Sequence, residues 1–178
     1  NLSIQKGVVD LLKAWKIVIN TIDKTRLTFV GPLTDKGIEE LIVESAKQFR
    51  GLIDIIGPIQ NKKLVLYYNE ATVVVIPSHY EANPFTVLEA MSCGCAIICP
   101  NHTGFPEIIR HNFDGILCDT DNPEVLSREI LRLLNDKQFR EEIGKNARKT
   151  ILERFSLNTI NQKNNTLYHK LINLHEGI

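Results

Sequence analysis

The sequence predicts an α/β fold, a mostly parallel sheet covered by helices on both faces. Three observations carry that prediction. Short apolar runs recur between Arg26 and Cys118, and three of them end at Gly31-Pro32, Gly57-Pro58 and Pro77. Longer stretches with apolar residues at helical spacing separate these runs. From Pro123 onward the pattern is helical throughout. Short strands alternating with helices are what a parallel sheet buried on both faces requires.

The elements follow in order. Residues 6–22 place Val9, Leu12, Ala14, Trp15, Ile19 and Ile22 at roughly helical spacing, which predicts an amphipathic helix. A strand is expected over 26–30, a helix over 36–49, a strand over 52–56, a helix over 62–71 and a strand over 72–76. A helix over 85–93, a strand over 96–99, a short helix over 104–110 and a strand over 115–118 continue the alternation. Helices are expected over 123–135, 137–154 and 157–174. Asp121-Asn122-Pro123 marks a helix start, with Asn122 as N-cap and Pro123 at the first helical position.

The bulk properties set bounds. The chain of 178 residues suits one domain, 1–178, and leaves no room for two full ones. Hydrophobic residues at 43% and charged residues at 24% supply a packed core. A formal net charge of zero argues against a nucleic-acid partner, whose footprint is a basic excess. No apolar run is long enough to span a bilayer, and the start carries no leader pattern. The chain opens on Asn1 rather than methionine, which reads as a fragment of a longer protein. Cys93, Cys95, Cys99 and Cys118 fit no strong zinc spacing, so they read as buried or inert thiols without disulfides.

The stretch from Pro77 to Gly94 is the most informative. It carries Glu81 and Glu89 with seven residues between them, after one strand and across a helix start. Ligands of open α/β sheets bind beyond the carboxyl ends of the strands, and helix N-termini there hold anions. Asn83 is expected to cap the helix, with Pro84 at its first position. The amides of Phe85 and Thr86 then point outward at the positive end of the helix dipole. Either a phosphate or the Asn83 side chain itself could satisfy them. Glu81 lies on the loop, whereas Glu89 lies about one and a half turns into the helix. The two therefore bracket the helix start and do not share one proton. A nucleotide sugar needs that order: an acceptor for sugar hydroxyls, a phosphate site, and an acceptor for the ribose diol. Glu89 has apolar neighbours in Val87, Leu88, Ala90 and Met91, so its charge calls for a partner. His79, His102 and His111 read as loop or surface residues.

The run Val74-Val-Ile-Pro-Ser-x-x-Glu81, seven residues, then Glu89-Ala-Met-x-x-Gly94 resembles the retaining GT-B glycosyltransferases of family four, the group 1 transferases. Lys6-Gly7, Gly57 with Tyr67-Tyr68, Gly104 to Ile109 and Asn112 to Leu117 resemble further blocks of that family in the same order. The resemblance covers nearly the whole chain. It implies a Rossmann-like three-layer domain, the C-terminal, donor-binding half of a two-domain GT-B enzyme. Helix 157–178 is then expected to pack toward the missing N-terminal half.

The resemblance implies roles residue by residue. Glu81 would contact the transferred sugar at the reacting centre. Glu89 would accept from the ribose hydroxyls. Asn83, Pro84, Phe85 and Thr86 would form the phosphate site, and Lys6 would neutralise the diphosphate leaving group. Gly31 would let backbone approach the diphosphate, and Gly57 with Ile59 would line the base pocket. The implied reaction transfers a sugar, with retention, from a nucleoside diphosphate to an acceptor such as a polysaccharide or a lipid-linked glycan. It needs no metal and no cofactor beyond the donor. The implied setting is cytoplasmic, with membrane contact only through the missing half. Three departures stand out: Asn1 occupies the place of a family arginine, Pro84 that of a frequent glycine, and Thr103 that of one glycine in a pair. Asn1 motivates an alternative, a non-catalytic nucleotide-sugar binding module. A glycoside hydrolase is disfavoured, because its two carboxyls must face one bond.

Overall fold

The computed structural model describes residues 1–49, 51–81 and 84–176. A 3-10 turn at Ile4–Lys6 leads into α1 (Val8–Thr21), β1 (Leu27–Val30), α2 (Lys36–Gln48), β2 (Ile53–Ile56) and α3 (Asn61–Glu70). Then come β3 (Val74–Val75), α4 (Phe85–Ser92), β4 (Ile97–Pro100), α5 (Phe105–Ile108) and β5 (Ile116–Cys118). The chain closes with α6 (Pro123–Asn135), α7 (Lys137–Thr150) and α8 (Leu157–Glu176).

Every strand pair is parallel, with Leu27 opposite Ile53, Val74 opposite Ile97 and Ile98 opposite Ile116. The α/β expectation therefore holds. The pairing differs in one respect: the strands form two sheets, β1-β2 and β3-β4-β5. Both contribute to one apolar cluster, in which Phe29 and Ile53 join Ile98 and Ile116. A shared core, rather than a continuous ladder, unites the two sheets.

Side chains alternate between the faces of a strand, and that alternation builds the layers here. Ile98, Ile116 and Cys118 pack with α1, α2 and α6, through Trp15, Val18, Ile42, Leu126 and Leu133. Ile97 and Cys99 pack on the other side with Val87 and Met91 of α4, Phe105 of α5 and Tyr68 of α3. Burying each of Leu11, Leu12, Trp15 and Val18 on α1 stabilises the fold by on the order of 2 kcal/mol. All four cysteines are free thiols, with Cys95, Cys99 and Cys118 buried and Cys93 half-buried. Burial pushes the Cys95 and Cys118 thiols up to about 12 and raises the Cys99 thiol well above its ordinary value, so these groups are inert apolar filler.

Several boundaries move for identifiable reasons. The first long helix begins at Val8, because Ile4–Lys6 wind as a separate 3-10 turn that Gly7 ends at φ 70°. Strand 72–76 shortens to Val74–Val75, although the Val74 and Ile76 amides still donate to the Ala96 and Ile98 carbonyls at 2.9 Å. Helix 104–110 shortens to Phe105–Ile108, since Ile109 is already extended. Helix 137–154 divides into α7 and a π-helical turn at Ile151–Phe155. No helix of the described residues is long and apolar enough to cross a membrane.

Candidate functional site

Parallel pairing puts the carboxyl ends of β1 and β2 side by side, and likewise those of β3, β4 and β5. Gly31 follows β1 there, the segment 57–59 follows β2, and the loop from Ile76 to Glu81 follows β3. The 3-10 turn at the start of the chain is tied to that third loop. The His79 amide donates to the Gln5 carbonyl at 2.9 Å. Gly7 sits so close to Pro77 that a Cβ would overlap the Pro77 carbonyl oxygen, and its φ of 70° independently favours glycine. This close seat holds Lys6 over the loop.

Lys6 Nζ donates to Glu81 Oε1, forming an ion pair between partly buried groups. Ser78 Oγ, itself buried, donates to the same oxygen at 3.3 Å. The Gly104 amide fixes the Glu81 backbone through its carbonyl at 3.3 Å. Among the described residues no donor takes Glu81 Oε2. Lys6 and Glu81, which sequence reading gave to diphosphate and sugar respectively, are thus brought into direct contact.

The start of α4 departs from expectation. Pro84 stands at the N-cap, with φ −79° and ψ 76°, and the helix begins at Phe85. The expected first position for Pro84 is therefore off by one residue. A ring without an N–H is as harmless at an N-cap as at the first helical position, so the register was free to move. Asn83, expected as the cap, lies outside the described residues. The Pro84 carbonyl accepts from the Val87 amide at 2.9 Å, while the Phe85 and Thr86 amides find no acceptor among the described residues. Phe85 and Thr86 are exposed and Pro84 is buried.

Glu89 is half-buried on α4 and has a different partner. The Tyr68 hydroxyl, from α3, donates to Glu89 Oε2 at 3.2 Å. Burial, and secondarily the Glu89 charge, pushes the Tyr68 phenol well above its ordinary range. That hydroxyl therefore keeps its proton, and donates it, at every physiological pH. The need for a partner was legible from the apolar neighbours of Glu89, but its identity was not.

Gly31 has φ 135° at the end of β1 and stands beside Asn1. Gly57 is exposed with open space around it, and Ile59 is half-buried on the same loop. The Gly31 amide donates to the Ile56 carbonyl at 3.0 Å, which sets the ends of β1 and β2 together, and the Leu2 amide donates to the Pro32 carbonyl at 2.8 Å, which ties the chain start that carries Lys6 to the end of β1.

Sequence reading missed a third cluster. His79 Nε2 pairs with Asp10 Oδ2 at 3.0 Å, and His79 Nδ1 lies 3.8 Å from Asp121 Oδ1. Asp10 is also 3.7 Å from Lys13 Nζ. Among the described residues, Asp10, His79 and Asp121 gather their ligating atoms within 4.8 Å. The imidazole between two carboxylates accounts for that grouping, and it braces α1 and the loop after β5 against the loop that carries Glu81. His79 lies on a loop, as expected, and from there it bridges α1 and the loop after β5. His111 likewise has a structural task, accepting the Leu117 amide at its Nδ1 at 3.0 Å.

Two concavities, of about 320 and 430 Å³, lie along α7, by Gly94, Gly144 and Arg148 and by Asn69, Cys93 and Arg140. Neither takes in Lys6, Glu81 or Glu89.

Comparisons with known proteins agree with one another. A family model described as glycosyl transferases group 1 matches residues 1–150. An uncharacterized glycosyltransferase of Methanocaldococcus jannaschii is 32% identical over 168 residues, which cover 94% of this chain and 42% of the relative. The capsular polysaccharide biosynthesis glycosyltransferase CapM of Staphylococcus aureus is 26% identical over 182 residues, covering 97% of this chain and 45% of the relative. Among solved structures, Anabaena HepE in complex with UDP matches with a TM-score of 0.84 at 20% identity, covering 96% of this chain and 47% of that one. The chain spans less than half the length of these relatives.

Proposed function

The chain belongs to the group 1 glycosyl transferases, with the fold of the C-terminal half of a GT-B enzyme, and we propose that it binds the donor of a retaining sugar transfer. The donor is a nucleoside-diphosphate sugar. The acceptor, a polysaccharide or lipid-linked glycan, is held by an N-terminal half. The observation that carries this reading is the start of α4, with the Lys6–Glu81 pair on the loop before it and the Tyr68–Glu89 pair within the helix.

Each residue has a physical task. The Phe85 and Thr86 amides, at the positive end of α4, take the phosphates. Lys6 turns from Glu81 to the diphosphate as negative charge builds on the leaving group. Stabilising that charge lowers the barrier to an oxocarbenium-like transition state. Glu81, relieved of Lys6, faces the transferred sugar. Glu89 accepts from the ribose diol, and Gly57 with Ile59 lines the base. Gly31 leaves room for the diphosphate at the end of β1. Lys6 and the α4 amides supply the positive charge, so the scheme calls for no metal. UDP in the Anabaena neighbour, and the capsular role in the name of the Staphylococcus relative, support the donor class and the acceptor class. The exposed Leu157, Leu167, Tyr168, Leu171 and Ile172 of α8 suit packing toward the other half.

Calorimetry on the 178-residue chain tests the reading. We expect weak binding of a nucleoside diphosphate and no sugar transfer without the other half. Glu89→Ala should weaken nucleoside-diphosphate binding more than Glu81→Ala, because only Glu89 is assigned to the ribose. Equal losses would count against the assignment, and turnover by the isolated chain against the division of labour.

A further inference from the structure

Glu89 is an unusual residue for its helix. Val87, Ala90 and Met91 around it are fully buried, and a carboxylate rooted there is stable only when hydrogen-bonded. The described residues provide one side-chain donor to it, the Tyr68 hydroxyl at 3.2 Å. Tyr68 is itself fixed. It is 9% exposed and packs in the cluster formed by Val87, Met91, Ile97 and Phe105. Its backbone carbonyl accepts the Cys95 thiol at 3.2 Å. The phenol therefore reaches Glu89 from a rigid base on another helix, and it engages one oxygen, Oε2.

We propose that Tyr68 is a positioning residue that holds the Glu89 carboxylate ready for a vicinal diol, and so sets the preference of this site for a ribose. The inference rests on the reading of Glu89 as the ribose acceptor. Pinning Oε2 fixes the plane of the carboxylate and leaves its remaining acceptor positions for two adjacent hydroxyls. Freezing that rotor before binding removes an ordering cost that the ligand would otherwise meet. The donor role is secure at neutral pH, since burial keeps the phenol protonated. Tyr68 touches no ligand atom in this scheme, and its effect passes wholly through Glu89.

The test uses the 178-residue chain with UDP, GDP and ADP and their 2′,3′-dideoxy analogues as probes, read by calorimetry. Tyr68→Phe keeps the ring and its packing and removes only the donor. It should lower affinity for the best-bound diphosphate by about 2- to 10-fold, the range of one hydrogen bond. It should leave affinity for the dideoxy analogue unchanged. In a Glu89→Ala background the same substitution should have no further effect, because the two residues act as a unit. Equal weakening of both ligands by Tyr68→Phe would mean a merely structural role and overturn the inference. So would a Tyr68→Phe loss that persists without Glu89. If Glu89→Ala removes the diol preference while Tyr68→Phe preserves it, the inference fails and the reading of Glu89 stands. If Glu89→Ala itself preserves the diol preference, or none of the three diphosphates binds, the reading fails and takes the inference with it.

Discussion

Two helices of this protein start with the same dipeptide, Asn-Pro, and the starts differ. At α6, Asn122 takes the N-cap, and its side chain accepts from the Glu124 and Val125 amides at 3.1 and 3.2 Å. Pro123 sits at the first helical position. Asp35 at α2 and Asp136 at α7 cap in the same way. At α4, Pro84 takes the N-cap itself, and no side chain of the described residues caps the helix. On the loop before that start Ser78 and Glu81 are joined locally, and Lys6 reaches the same Glu81 oxygen from 75 positions away. At α2, α6 and α7 the first turn is completed by the side chain of the cap, whereas α1, α3 and α5 share with α4 the lack of a side-chain cap among the described residues. On the proposed reading, the donor diphosphate completes the first turn of α4, and the dipole of the helix acts on the ligand rather than on a neighbouring carboxyl.

The largest expected effect breaks the comparison at α4 by unseating its surroundings. Gly7→Ala adds a methyl that overlaps the Pro77 carbonyl oxygen and forces a left-handed backbone on alanine. The conformational term alone is about 1–2 kcal/mol, and the overlap must also push the Lys6 turn from the loop. We expect a loss of at least about 2 kcal/mol in denaturant unfolding, together with weaker nucleoside-diphosphate binding by the fraction that remains folded. A variant that loses stability but binds normally would show that the α4 site does not depend on the seat of Lys6.

The counterpart acts at α6. Asn122→Ala removes a cap whose side chain serves two amides, and such losses are typically about 1 kcal/mol. Stability should fall by about that amount, with ligand affinity unchanged. A change in affinity would mean that the loop after β5, which also carries Asp121 near His79, transmits strain to the site.

The two starts also show how far sequence alone reaches. Asn122-Pro123 was read correctly, because a cap is a local event and its residues are adjacent. The alternation of strands was legible for the same reason, since the Ile97–Pro100 run and its neighbours are apolar on both faces. Pro84 was misplaced by one residue because proline is tolerated at either position and the neighbouring loop decides. The pairing of Lys6 with Glu81, Tyr68 with Glu89 and Asp10 with His79 joins residues 75, 21 and 69 positions apart. Those contacts follow from the parallel register and the strand order, which no local pattern encodes. Family resemblance pointed to Lys6, Glu81 and Glu89 as individuals, whereas their partners come from the fold.

The smallest expected effect concerns a third ion pair, and it sharpens what is distinctive about Lys6 and Glu81. Arg26 Nε and Nη2 donate to the two Asp54 oxygens at 2.9 and 2.7 Å, joining β2 to the residue just before β1. That geometry is more regular than the site pair, yet both groups are exposed and no ligand competes for them. The Arg26 hydrogen bond holds the Asp54 carboxyl below the usual carboxylate range. A carboxyl lowered on folding contributes stability above its unfolded value, near pH 4, and loses it as pH falls through the folded value. Asp54→Asn should therefore shift Tm slightly at neutral pH and low salt. The shift should vanish in acid and shrink in molar salt, because solvent screens such pairs. Nucleoside-diphosphate affinity should not move at all. An ion pair that answers to pH and salt but not to ligand is a structural pair. If Lys6–Glu81 behaved the same way, the case for a donor site at α4 would lose its central cation.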